Sequence, residues 1–123
     1  MKRTVFAVAG CFLAAFGSGT VMAQETGLAG MHAQHIVNGR LCFDGHTHVG
    51  TGSPGASKQA AIVSAVQDWS SFTTFEYGNN WGSWNVATAK KVKCEPASGR
   101  WACEVQAVPC HIGTVRRHRQ ARR

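Results

Sequence analysis

Two histidines separated by one residue, His46 and His48, are the side chains whose type and spacing point most directly to chemistry. On an extended strand, residues i and i+2 leave the same face, so both imidazoles would converge on one ligand. Neutral imidazole binds zinc and copper, and a third donor from His32, His35 or His111 would complete the shell. Zn or Cu is the one cofactor this pattern suggests. The plainer expectation is no cofactor, with both histidines as polar positions on the solvent face of an edge strand.

A second candidate is electrostatic. The chain carries 13 Lys and Arg against 6 Asp and Glu, a formal net charge of +7. Between Cys42 and Ile112 the signs balance, with Lys58, Lys90, Lys91, Lys93 and Arg100 against Asp44, Asp68, Glu76, Glu95 and Glu104. The surplus outside the first residues lies in Arg40 and in Arg116, Arg117, Arg119, Arg122 and Arg123, a tail without an acid. A flexible run of guanidinium groups binds phosphates and carboxylates with counterion release. An anionic envelope component or an acidic protein is the matching partner, and a merely solvated tail is the alternative.

Catalysis has little support. The chain contains no GxSxG, HExxH or phosphate-loop pattern. Asp68 and Glu76 lie eight positions apart on one expected helix, too far for a paired-carboxylate site. The chain therefore reads as a non-enzyme. Its rings Trp69, Phe72, Phe75, Tyr77, Trp81, Trp84 and Trp101 read as core more readily than as a stacking platform. Trp81 and Trp84, beside asparagines and glycines, are expected to be partly exposed.

The context for these residues is export. Lys2 and Arg3, an apolar run from Val5 to Phe16 and the small residues of Val21-Met22-Ala23 follow the order of a secretory signal peptide, with cleavage before Gln24. The apolar run is too short to span a membrane, and no later segment is long enough. Val8-Ala9-Gly10-Cys11 offers a lipoprotein alternative, acylated at Cys11. Cleavage after Ala23 leaves Cys42, Cys94, Cys103 and Cys110, an even set in an oxidising compartment, so two disulfides are expected. The protein should be periplasmic or secreted.

The elements that must position these groups follow from periodicity. Residues 24–40 lack a sustained apolar period and read as a flexible arm or linker. Leu41, Phe43 and Val49 alternate with Asp44, His46 and His48, which suggests one short strand interrupted by Gly45. Ser53 or Ser57 would cap an amphipathic helix whose apolar face is Ile62, Val66, Trp69, Phe72 and Phe75 or Glu76, ended by Gly78. Two strands, Trp84 to Cys94 and Trp101 to Pro109, flank a turn at Pro96-Ala97-Ser98-Gly99. A turn centred between Ser98 and Gly99 sets Cys94 opposite Cys103, Val92 opposite Val105 and Lys93 opposite Glu104.

Directly opposed strand residues lie close enough for a disulfide, which selects Cys94–Cys103. Cys42–Cys110 follows by elimination, while Cys42 paired with Cys94 or with Cys103 stays open. The Cys42–Cys110 bond would make the first strand antiparallel to the last. The expected fold is thus α+β: one amphipathic helix on a small antiparallel or mixed sheet, β-α-β-β in order 1-3-2, stapled by disulfides. The parts are a signal peptide (1–23), the arm (24–40), a single domain (41–112) and a basic tail (113–123).

The run Ala61-Ile62, Trp69, Phe72-Thr73, Glu76-Tyr77-Gly78, Trp81, Ala87, Val92, Cys94, Trp101, Cys103, Ala107 and Pro109-Cys110 resembles small secreted bacterial proteins of uncharacterised function. In these a His-x-His and a glycine-rich turn precede the helix, as His46-Thr47-His48 and Gly50-Thr51-Gly52 do here. The resemblance covers residues 42–112 and implies no activity, because its tryptophans and cysteines mostly describe a core.

Overall fold

In the computed structural model, which describes residues 25–115, helix α1 (Lys58–Tyr77) starts where the Ser57 hydroxyl accepts the Ala60 amide at 3.1 Å. It stops at Gly78, whose φ of 100° suits a residue without a side chain. Of the two serines able to cap it, Ser57 does so. The signal peptide, Cys11 and the arginines from Arg116 onward lie outside the described residues.

The buried stripe of α1 is Ala61, Ala65, Trp69, Thr73 and Tyr77, each four residues from the next. This corrects the expected apolar face, with which it shares only Trp69. Phe72 and Phe75 are 52% and 84% exposed. The cause is how closely the preceding chain approaches the helix. A side chain on Gly50 would press into the backbone of Ala65 and Trp69, and one on Gly55 would meet Ala60 and Ala61. Backbone contact of that kind leaves room only for small side chains at Ala61 and Ala65, and the stripe that turns inward there brings Trp69, Thr73 and Tyr77 in with it.

The expected hairpin is present. Strand β4 (Thr88–Ala97) pairs antiparallel with β5 (Arg100–Val108), and Cys94 faces Cys103, Val92 faces Val105 and Lys93 faces Glu104. Ser98 and Gly99 take φ values of 51° and 76°, a left-handed two-residue turn whose twist matches the flanking strands. Residues Trp84–Val86, expected to begin β4, form a 3-10 turn instead.

The expected first strand is divided in two. Strands β2 (Arg40–Phe43) and β3 (His48–Gly50) are separated by a bent segment in which Gly45 has a φ of 64°. Their shared partner is divided as well, at Pro109, into β5 and β6 (Cys110–Thr114). Thus β2 pairs with β6 and β3 with β5, and Phe43 donates to the Pro109 carbonyl at 3.1 Å across the junction. Two three-stranded antiparallel sheets result, with orders β1-β2-β6 and β3-β5-β4. The second has the expected 1-3-2 order; the correction is that one sheet has become two.

The arm also differs from expectation. Residues Leu28–Met31 form a 3-10 turn, and β1 (Gln34–Val37) joins β2 through a turn at Asn38 and Gly39. The ordered body therefore begins before residue 41, and β6 carries it past Ile112.

Both disulfides expected first are formed, Cys42–Cys110 in one sheet and Cys94–Cys103 in the other. Each anchors its own core. One core gathers Ala29, Phe43, Tyr77, Trp81 and Val108 around Cys42–Cys110. The other gathers Ala61, Ala65, Trp69, Ala87, Val105 and Ala107 around Cys103. Trp81 is only 3% exposed, contrary to expectation, because it stacks on Phe43 at 4.7 Å while Gly82 lies tight against Thr74. No helix among the described residues is long and apolar enough to cross a membrane.

The disulfides close loops of very different size, with sequence separations of 68 and 9. In the chain-entropy account, replacing Cys42 and Cys110 by alanine costs about 4 kcal/mol, against about 3 for Cys94 and Cys103. Urea unfolding of the two double variants should show the larger loss for the Cys42/Cys110 pair.

Candidate metal centre

Three residues of the α1 stripe grip one histidine. Trp69 Nε1 donates to the His48 carbonyl at 3.0 Å, the Thr73 hydroxyl lies 3.4 Å from His48 Nδ1, and Tyr77 Oη lies 3.1 Å from His48 Nε2. Trp69, Thr73 and Tyr77 are one turn apart in succession, so a straight helix delivers all three to the same histidine, Trp69 to its carbonyl and the other two to its ring. His48 is 5% exposed and its ring packs against Phe72 at 5.2 Å.

The network assigns the His48 tautomer. Thr73 has a single hydroxyl proton, and its 2.7 Å contact with the Trp69 carbonyl uses it. Toward His48 the hydroxyl can then only accept, which puts the ring proton on Nδ1. The Nε2 lone pair is left facing Tyr77 and His46.

His46 arrives by the bend between β2 and β3. Gly45 breaks the strand and re-aims the following side chain, a common use of such irregularities. His46 Nε2 lies 3.1 Å from His48 Nε2 and 3.1 Å from Tyr77 Oη. With the 3.1 Å His48–Tyr77 contact, the three atoms form an equilateral triangle. From the arm, His32 brings its Nε2 within 3.2 Å of the same hydroxyl. Phe43 supports the group from beneath, 4.9 Å from the His32 ring and 4.7 Å from the Tyr77 ring.

Hydrogen bonds alone serve this triangle poorly. An imidazole nitrogen has one in-plane lobe, holding either a proton or a lone pair, so it makes one well-directed bond. His46 Nε2 and His48 Nε2 each face two corners. A cation is different, because it accepts several lone pairs at one point. An ion about 2.0 Å from each corner, the length of a zinc–nitrogen bond, would sit roughly 1 Å off the plane of the triangle without moving any of them.

The electrostatics suit a ligand role. Burial lowers the His48 pKa, the positive charges of His46 and His32 add to this, and the Glu76 carboxylate, 3.4 Å away, opposes it. The shift favours neutral His48, the form that ligates metals. Burial and the Glu76 carboxylate push the Tyr77 phenol up to about 12. A cation at the triangle would invert that preference locally.

His46 and His48 are brought together as expected, and His32 supplies the further imidazole. His111 is not part of the group. Its Nε2 lies 2.9 Å from a Glu25 oxygen and its Nδ1 accepts the Gly113 amide at 2.9 Å, so both nitrogens are engaged elsewhere. Asn80 also donates to Glu25, and these two contacts lower the Glu25 pKa while tying the start of the arm to the body. His35 is exposed, 3.9 Å from Asp44. The hydroxyl of Tyr77 is the corner that was not foreseen. Among the described residues no three His, Cys, Asp or Glu side chains form a metal-holding group by themselves.

A histidine whose pKa is lowered on folding stabilises the fold above its unfolded value, near 6.5, and that contribution is lost as pH falls through the folded value. The thermal midpoint should drop between about pH 7.5 and about pH 5.5, and His48→Gln should flatten that dependence. No family model, no curated protein and no solved structure matches this chain, so the reading of its function rests on the geometry of the four converging side chains.

Proposed function

We propose that this chain is a small exported, non-catalytic protein that binds a divalent transition-metal ion, zinc or copper, through His46 and His48 together with Tyr77 and His32. The observation that carries the reading is the 3.1 Å triangle of His46 Nε2, His48 Nε2 and Tyr77 Oη. Its edges match those of a coordination sphere, and its three contacts outnumber the two directed hydrogen bonds its two nitrogens can make. Export is supported by the two closed disulfides, which persist in oxidising compartments, and by the signal-like first 23 residues. The resemblance to small secreted bacterial proteins belongs to the same proposal.

Binding of anionic partners by Arg116, Arg117, Arg119, Arg122 and Arg123 is a separate reading. It falls on residues outside those described, and the geometry of the body adds nothing to it.

The metal reading is tested by titrating the purified, tag-free, disulfide-intact protein with Zn(II) and with Cu(II) by calorimetry. One ion per chain is expected. His46→Ala and His48→Ala should each weaken binding by about 100-fold or more, since loss of a mere second-shell partner already costs 10–100-fold. His111→Ala and removal of residues 116–123 should leave it unchanged. Equal binding by the His46/His48 double variant would overturn the reading.

A further inference from the structure

From the position of the Tyr77 hydroxyl we infer that the bound ion is Cu(II) and that Tyr77 coordinates it as a phenolate, giving a copper–tyrosinate centre with His46, His48 and His32. This rests on the metal reading above and names its ion and its oxygen ligand.

The argument begins with the oxygen. Tyr77 Oη is the one atom within 3.1 to 3.2 Å of all three imidazole nitrogens. An ion within bonding distance of His46 Nε2 and His48 Nε2 on the side of this oxygen therefore meets Oη as its next neighbour. The phenol cannot swing away. Tyr77 is fully buried, its ring packs edge-on against Phe43 at 4.7 Å, and it is the last residue of α1, held there by the Gly78 cap. Equally fixed is His48, by Thr73 at Nδ1 and by Trp69 at its carbonyl. The His48 nitrogen and the Tyr77 oxygen are thus pre-placed, and His46 and His32, both half-buried, have freedom to adjust.

The donor chemistry then selects the ion. The converging atoms are imidazole nitrogen and phenol oxygen, while Cys42, Cys94, Cys103 and Cys110 are closed in disulfides. Thiolate and thioether ligands favour Cu(I), whereas nitrogen and oxygen donors favour Cu(II). Among divalent first-row ions Cu(II) also binds such a set most tightly. Coordination breaks the phenol O–H bond, forms a Cu–O bond and releases the proton to water, with no change in the oxidation state of copper. The Glu76 carboxylate beside the group, 3.4 Å from His48 Nε2, adds negative charge that favours a dication there.

The test is an aerobic titration of the disulfide-intact protein with Cu(II), followed by visible absorption and resonance Raman spectroscopy. The expected result is a phenolate-to-copper charge-transfer band that saturates at one copper per chain, with phenolate ring modes enhanced on excitation into it. Tyr77→Phe should abolish the band, retain copper on the imidazoles, and weaken its binding by about 10–100-fold. The wild-type spectrum decides even if the variant folds poorly. Stoichiometric copper without a phenolate band would overturn this inference and leave the metal reading standing. No copper bound at the histidines would overturn this inference, and no zinc bound there either would overturn the metal reading as well.

Discussion

The fold is organised around the grip of one helix on one buried imidazole. Trp69, Thr73 and Tyr77 hold His48 at its carbonyl and at both ring nitrogens. A buried polar ring left without partners would cost about 1–3 kcal/mol, so these contacts constrain which face of α1 turns inward. They also join the two cores. Trp69 belongs to the one around Cys103, Tyr77 belongs to the one around Cys42–Cys110, and Thr73 with His48 lies between them. Rotating the helix to bury Phe72 and Phe75 would bury more apolar surface but strand His48.

The bent ladder serves the same end. Chain segments 40–50 and 105–114 pair with each other on both sides of the Pro109 junction, and the bend at residues 44–47, which contains His46, separates the two stretches of pairing. A flat, continuous first strand would have placed His46 and His48 on one face with no such crowding. The two disulfides, one in each sheet, hold the halves that meet at the bend. A chain this small, with two modest cores, gains from such staples where burial alone would be marginal.

Local chemistry was legible in the sequence wherever it was self-contained. The hairpin register follows from a turn centred at Ser98 and Gly99, and the Cys94–Cys103 bond follows from the register. The Ser57 and Gly78 caps follow from residue type. The helix face was not legible, because Ile62, Val66, Phe72 and Phe75 present the stronger apolar pattern. Only the glycines at 50, 52 and 55, read as packing sites and not as a turn alone, would have pointed to the alanine face. Within the site, His46 and His48 were visible from their spacing. Tyr77 was hidden, since its role depends on the helix rotation, and His111 was misplaced because nothing local announces its contact with Glu25.

The central claim is that His46 Nε2, His48 Nε2 and Tyr77 Oη enclose a position fitted to a metal ion. The most direct measurement is anomalous diffraction from crystals of the protein grown with stoichiometric Zn(II) or Cu(II). The account predicts one anomalous peak about 2.0–2.2 Å from the His46 and His48 nitrogens. A peak only at exposed histidines such as His35, with the triangle unchanged, would contradict it.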